Sequence, residues 1–276
     1  MKKLINRAPN RTARWLLGFL PFVLCCILYW SASNARLIEN PNDKLLPAFT
    51  SFVEAIDRLA FTPDKRSGEY LLVVDTLSSL KRLCVGILVS ALAALALGVL
   101  NGAIPYARAP FSPFITAISL VPPMAILPVL FIVFGLGELS KIMLIVIGIA
   151  PFLIRDVQHR VIEIPAEQLI KAQTLGANSW QIVLRVILPQ VMPRLLASVR
   201  LSLGAAWLFL IAAEAIAATE GLGYRIFLVR RYLAMDVILP YVAWITLLAF
   251  LFDYLLRRIS RFCYPWFHAQ TNFAEG

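Results

Sequence analysis

Apolar residues in this chain gather into six long runs separated by short polar intervals. The runs lie at residues 15–30, about 80–103, a stretch ending near 134, about 142–154, about 195–218 and about 237–256. Crossing a hydrocarbon core of about 30 Å takes about 20 apolar residues in a helix. A helix also satisfies its backbone hydrogen bonds within one segment, which a lipid-facing segment must do. The pattern therefore predicts an all-α membrane protein with six transmembrane helices. The fourth run is the shortest. It extends towards Val161 and carries Arg155, Asp156, His159 and Arg160 at its end.

The polar intervals have patterns of their own. Residues 47–59 place apolar side chains at helical spacing and predict an amphipathic helix on the outer surface. Pro63 and Gly68 bracket a charged turn that includes Lys65, Arg66 and Ser67. Residues 163–189 form the longest polar interval of the second half and read as helix, turn, helix. Pro165 and Glu167 suit a helix start. Leu169, Ile170 and Ala172 follow at roughly helical spacing, and Gly176 suits a left-handed stop. Asn178 or Ser179 can cap a second helix, which Pro189 is expected to end. From pattern alone this is equally a hairpin lying on the membrane surface.

Composition supports the membrane reading: 60% of the 276 residues are hydrophobic, against about 45–50% in a soluble domain. The net charge of +10 would suggest nucleic acid in a soluble protein. Here Lys and Arg sit beside the runs, where they set orientation, and nucleic acid is excluded as a partner. Lys2, Lys3, Arg7, Arg11 and Arg14 place the N-terminus in the cytoplasm, and Arg257, Arg258 and Arg261 do the same for the C-terminus. The first run is read as an uncleaved span, although Ser33-Asn34-Ala35 has the form of a cleavage site. Arg225, Arg230 and Arg231 depart from the charge rule. So do Lys81 and Arg82, which are expected to snorkel to head groups. Cys25, Cys26, Cys84 and Cys263 have no metal-like spacing and are read as apolar filler.

Candidate chemistry is sparse. The chain has no Gly-x-x-x-x-Gly-Lys-Ser/Thr phosphate loop, so it is not expected to be an enzyme or to need a cofactor or metal. His159 and His268 lie far apart at or beyond span ends. Ala91, Ala93, Ala94, Ala96, Gly98 and Gly102 give the second span small residues that suit close packing in lipid. Pro122, Pro123 and Pro128 break backbone bonding in the third, which is tolerated where protein or a watery cavity covers the break. Glu214 is an ionisable residue inside a span and the best candidate to face a pathway. Its alternative is an ion pair between helices, with Arg200 as one nominee. Trp207 lines a pore or packs in the core, and Asp253 pairs with Arg257 one turn on. Pro123, Met124, Trp207 and Glu214 form the expected translocation pathway.

Ala172, Gly176, Val186, Leu188 and Pro189 resemble the coupling loop of ABC importer permeases. That family's motif runs Glu-Ala-Ala, three residues, Gly, nine residues, Ile, one residue, Leu-Pro. This chain has Ile170 and Lys171 at the motif's Glu and first Ala, and its nearest acid is Glu167. Pro122-Pro123, Ala125, Pro128, Phe134-Gly135, Gly137-Glu138 and Ser140-Lys141 resemble the nitrate/sulfonate/taurine branch. So do Ala213-Glu214, Ala217-Ala218-Thr219 and Gly221-Leu222-Gly223.

The resemblance implies a permease subunit of an ATP-driven importer for a small polar or charged solute. Its implied partners are cytoplasmic ATP-binding subunits, an extracytoplasmic substrate-binding protein, a second permease subunit as a homodimer, and membrane lipid. Glu167, Ala172, Gly176, Ala177, Leu188 and Pro189 become the expected ATPase-coupling residues, on a helix pair between spans four and five. The implied organisation is a tail and first span (1–31), an extracytoplasmic segment (32–79), a permease core (80–262) and a cytoplasmic tail (263–276). The location is the inner membrane, with both termini inside. The competing reading is a stand-alone secondary transporter or channel, which needs no coupling loop.

Overall fold

The computed structural model describes residues 10–40, 43–64 and 68–274, and every regular element among them is helical. The basic residues Lys2, Lys3 and Arg7, and Lys65, Arg66 and Ser67 of the expected turn, lie outside the described residues. In chain order, α1 is Arg11–Glu39 and α2 is Phe49–Ile56, which runs into a π turn at Asp57–Phe61. Helix α3 (Leu71–Ala93) continues through a π turn at Ala94–Gly98 into α4 (Val99–Ala103). Helices α5 (Pro105–Ser119), α6 (Pro123–Phe134) and α7 (Glu138–Ile162) follow. The hairpin is α8 (Ala166–Thr174) and α9 (Ser179–Ile182), and α9 passes through a π turn at Val183–Ile187 into α10 (Leu188–Ala217). Helices α11 (Leu222–Arg230), α12 (Met235–Cys263) and α13 (Pro265–Ala274) close the chain.

Four helical stretches are long and apolar enough to cross a membrane: Thr12–Ile38, Leu71–Ala103, Ser179–Ala217 and Met235–Cys263. Pro105–Ser119 and Pro123–Phe134 make a fifth span if counted as one, bent by 98°. The bend falls where Pro122 and Pro123 remove backbone donors, so the two helices are separate segments rather than one kinked helix. Helix α7, the expected fourth span, is not among these stretches. Glu138 and Lys141 load its start, and Arg155, Asp156, His159 and Arg160 its end.

Helix α7 is nevertheless the axis of the fold. It touches α3, α4, α5, α6 and α10, and Leu144, Ile145, Leu153 and Val157 along it are wholly buried. Small residues let its neighbours approach. A Cβ at Gly86 would lie 2.8 Å from Ile145 Cγ2, and one at Gly98 2.6 Å from Val157 Cγ1. The glycines of the second span thus serve close helix packing, as expected in lipid, where apolar surface alone does not drive helices together.

Several helix boundaries differ from the sequence reading. The second span starts at Leu71 rather than near residue 80, because Asp75, Ser79 and Arg82 spend their polarity on other helices instead of ending the helix. The first helix runs on to Glu39. Pro189 does not end the second hairpin helix. The π turn before it, in which the Leu188 N–H donates to the Val183 carbonyl, widens the backbone where proline would otherwise clash. The four cysteines are exposed rather than packed inside.

Candidate functional site

The interval 163–189 folds as a capped hairpin. The Asn178 side chain accepts from the Gln181 N–H at 2.8 Å, and Gln181 Oε1 accepts from the Asn178 N–H at 3.0 Å. This reciprocal box fixes the start of α9. Gly176 takes φ +84°, a region costly for a side chain. A Cβ there would meet nothing within 4 Å, so backbone conformation alone asks for glycine. The Ala177 N–H donates to the Ala172 carbonyl at 3.0 Å, joining two of the expected coupling residues across the turn.

The hairpin has two faces. Leu169, Ala172, Ala177, Val186 and Leu188 pack against the core. Ile170, Leu175, Trp180 and Leu184 point away from it, with Leu175 87% and Trp180 68% exposed. Glu167 and Pro189 are exposed as well. Ile170, at the place of the motif's Glu, is therefore part of an apolar outer face. The mount is polar. Glu163 accepts from Arg194 at 2.8 Å and from Arg160 at 3.2 Å, and Gln190 donates to Gln168 at 3.0 Å. The Arg160 hydrogen bond holds the Glu163 carboxyl below its ordinary range.

At the other end of α10 lies a buried ionic knot. Glu214 is fully buried, and so, at 1% exposure, is Arg82 of α3. Arg82 Nη1 donates to Glu214 Oε1 at 2.7 Å and to the Glu220 carbonyl at 2.9 Å. Its Nε and Nη2 grip both oxygens of Glu138 at 2.6 and 2.8 Å, a bidentate pairing onto the start of α7. Lys141 donates to Glu138 at 2.9 Å. Glu214 also accepts from Ser79 Oγ at 2.8 Å and from the Gly223 N–H at 2.9 Å.

A second buried carboxylate, Asp75, accepts from Arg225 at 2.8 Å, from Tyr241 at 3.0 Å and from the Gly221 N–H at 2.9 Å. Gly221, at φ +125°, lies between the two clusters; a Cβ on it would fall 2.6 Å from Glu214 Cδ and 2.8 Å from Arg82 Nη1. The knot thus ties α3, α7, α10, α11 and α12 together around the turn at residues 218–221.

Of the expected pathway residues, Glu214 sits in this knot and Trp207 is buried two turns before it on α10. Pro123 is half-buried at the break between α5 and α6, and Met124 beside it is exposed. Arg200 does not meet Glu214; it binds Asp253 at 2.8 Å, and Asp253 also accepts from Arg257 at 3.2 Å. Arg82 does not snorkel, because three carboxylates hold it inside. Sequence reasoning missed Asp75, Ser79 and Arg82 as a set. Their spacing of four and three residues places them on one helix face, a signal that was available.

Residues 86–266 match the family described as binding-protein-dependent transport system inner membrane component. The chain belongs to this family. It is 37% identical over 189 residues to the taurine transport system permease protein TauC of Escherichia coli (strain K12), covering 68% of this chain and 69% of that one. It is 27% identical over 213 residues to the nitrate import permease protein NrtB of Synechococcus elongatus, covering 75% of each. Among solved structures, an inward-facing MetNI methionine ABC transporter chain superposes with a TM-score of 0.61 at 23% identity, covering 72% of this chain and 98% of that one. A chain from a bacterial ABC transporter that imports alginate gives 0.62 at 13% identity, covering 91% and 96%. These two share the fold. The chain is thus an ABC transporter permease close to taurine, sulfonate and nitrate permeases. Such subunits are not enzymes, and ATP hydrolysis lies in a separate subunit.

Proposed function

We propose that this chain is the membrane subunit of an ATP-driven importer for a small polar or charged solute of the nitrate, sulfonate or taurine kind. It works as a homodimer with cytoplasmic ATP-binding subunits and an extracytoplasmic substrate-binding protein. Helix α7 is also a span, the fourth in chain order, which brings the total to six; its apolar middle is enclosed by five other helices. Both termini are cytoplasmic, with the segment between α1 and α3 outside, the permease core running from α3 to α12, and residues 263–276 as tail.

The observation that carries this reading is the outer face of the hairpin. Exposed apolar clusters outside lipid mark protein contacts, and Leu175 and Trp180 offer such a cluster on a rigid mount. Trp is a frequent anchor of interfaces. Glu167, Ala172, Gly176, Ala177, Leu188 and Pro189 shape that mount and are the coupling set. In the pathway, Pro123 and Met124 mark the broken span, and Trp207 keeps an indole N–H without a partner among the described residues. Glu214 shapes the pathway wall through the knot.

The experiment is Gly176→Val, purified with the partner subunits. A β-branched residue at positive φ tilts α8 against α9. Solute-stimulated ATP hydrolysis falls and the ATPase co-purifies less, while membrane insertion survives. Unchanged stimulation and association would leave the hairpin a membrane-surface element and return the stand-alone transporter to first place.

A further inference from the structure

A groove of about 980 Å³ opens between α1, α2 and α12, lined by Cys25, Tyr29, Phe52, Leu59, Ala243 and Trp244 among others. The polar atoms of its aromatic residues are all spent elsewhere. Tyr29 donates to the Pro47 carbonyl at 2.8 Å, Tyr241 to Asp75 at 3.0 Å, and Trp244 to Thr76 at 3.0 Å. The groove therefore offers hydrocarbon surface and no hydrogen bond.

Its depth follows from α2. The apolar side of α2 (Phe49, Phe52, Ile56) faces this groove. The opposite side (Ser51, Glu54), with Arg58 of the π turn that follows, faces a second, polar groove of about 930 Å³ that also holds Lys44 and Asp236. An element divided in this way lies along the boundary between hydrocarbon and water. The apolar groove sits on the hydrocarbon side of α2, and the polar groove sits at head-group height.

Two further observations bear on the occupant. The apolar stretch of α1 is only 6% buried within the single chain, and Cys25, Cys26 and Tyr29 of α1 line the groove opposite Ala243, Trp244 and Leu247 of α12. In the polar groove, Arg58 reaches Asp236 only at 4.0 Å, with its side chain 64% exposed. Arg58 and Lys44 match a phosphate there, and Glu54 and Asp236 match an ammonium group.

We propose that this groove is a binding site for one acyl chain of a zwitterionic phospholipid, whose head group rests at the rim of α2. The bound chain fills the wedge that keeps α1 apart from α12. The inference rests on the membrane disposition proposed above, and not on the solute or on the ATPase docking of the hairpin.

The test uses the full chain extracted in mild detergent from membranes rich in phosphatidylethanolamine. Native mass spectrometry reads the phospholipid that stays bound. Ala243→Phe and Ala60→Leu add bulk to the lining and are expected to lower retained phospholipid by roughly half or more, because they displace buried chain area. A second measurement reconstitutes the unaltered chain and Trp244→Phe in phosphatidylcholine vesicles with brominated acyl chains. Bromine quenches indole at contact, so Trp244→Phe is expected to remove part of the quenchable fluorescence. Equal lipid retention in both lining variants, with quenching unchanged by Trp244→Phe, would overturn the proposal. So would a short bismaleimide that joins Cys25 or Cys26 of one copy to those of another in the bilayer, since a second copy would then fill the groove. Loss of lipid with solute transport and ATPase association intact separates this site from the proposed importer function.

Discussion

Removing Arg82, which is buried in α3, should unfold this protein's core more readily than removing a surface or loop cation. In Arg82→Met, Glu214 keeps the Ser79 hydroxyl and the Gly223 N–H but loses the one cation that contacts it among the described residues. Glu138 still has Lys141 at 2.9 Å and is half exposed, so water offsets much of its loss. The penalty falls on Glu214, whose side chain has no exposure. Breaking one side of a buried pair costs about 3–5 kcal/mol, a large share of the ~5–15 kcal/mol that holds a typical domain together. Glu214→Gln alone costs less, since Arg82 retains Glu138 and the Glu220 carbonyl. The double variant Arg82→Met/Glu214→Gln removes both charges and keeps an acceptor for Gly223. It should recover at least half of what Arg82→Met loses. The assay is thermal unfolding of the detergent-solubilised chain, with size-exclusion behaviour as a check on assembly. A double variant no more stable than Arg82→Met would refute the ion-pair account. So would a fully stable Glu214→Gln defective only in transport, which would make Glu214 a pathway residue.

Other expectations follow from the same geometry. Asp75→Asn leaves Arg225 without its buried carboxylate, and thermal unfolding should register a loss of about 3 kcal/mol or more. Gly98→Val drives a side chain into Val157 and the Ile154 carbonyl, and should destabilise by about 1–3 kcal/mol or more, read in the same assay. Because Arg160 depresses the Glu163 carboxyl, its stabilising contribution is complete above the ordinary value of 4.5 and is lost as pH falls through the lower folded value. A spin label on the hairpin should accordingly gain mobility in acid, and Arg194→Ala should raise mobility already at neutral pH. A reporter fused after Arg261 should be cytoplasmic, and an external signal there would reverse the proposed orientation.

The hairpin was legible in the sequence because its signals are local. Pro165, Gly176 and Asn178 act on their own backbone, and each does what its chemistry predicts. The apolar runs were legible for the same reason, since spanning length is a property of one segment. Two things were not. The start of α3 reads as polar and loop-like until Arg225, Glu214 and Tyr241 arrive from 130 or more residues away. Nor does sequence alone show that Pro189 sits within a helix, because the π turn that accommodates it is a backbone adjustment with no residue of its own. Glu214 illustrates both sides. Its cost inside a span marked it as important, while its partner could be named only once the helices were placed.

From Ser179 to Ala217 the backbone is one continuous helical stretch, roughly 58 Å at about 1.5 Å per residue. One end carries Trp180 and the other carries Glu214. Thermodynamic linkage allows no one-way traffic along such a shaft. If a protein gripping Trp180 favours one placement of Glu214, whatever restrains Glu214 changes that protein's affinity by the same factor. The strength of the Arg82 knot is then also a setting on how tightly the far end is held. If the proposed coupling holds, variants that loosen the knot should be detectable at the Trp180 end as altered binding of an ATPase subunit they never touch.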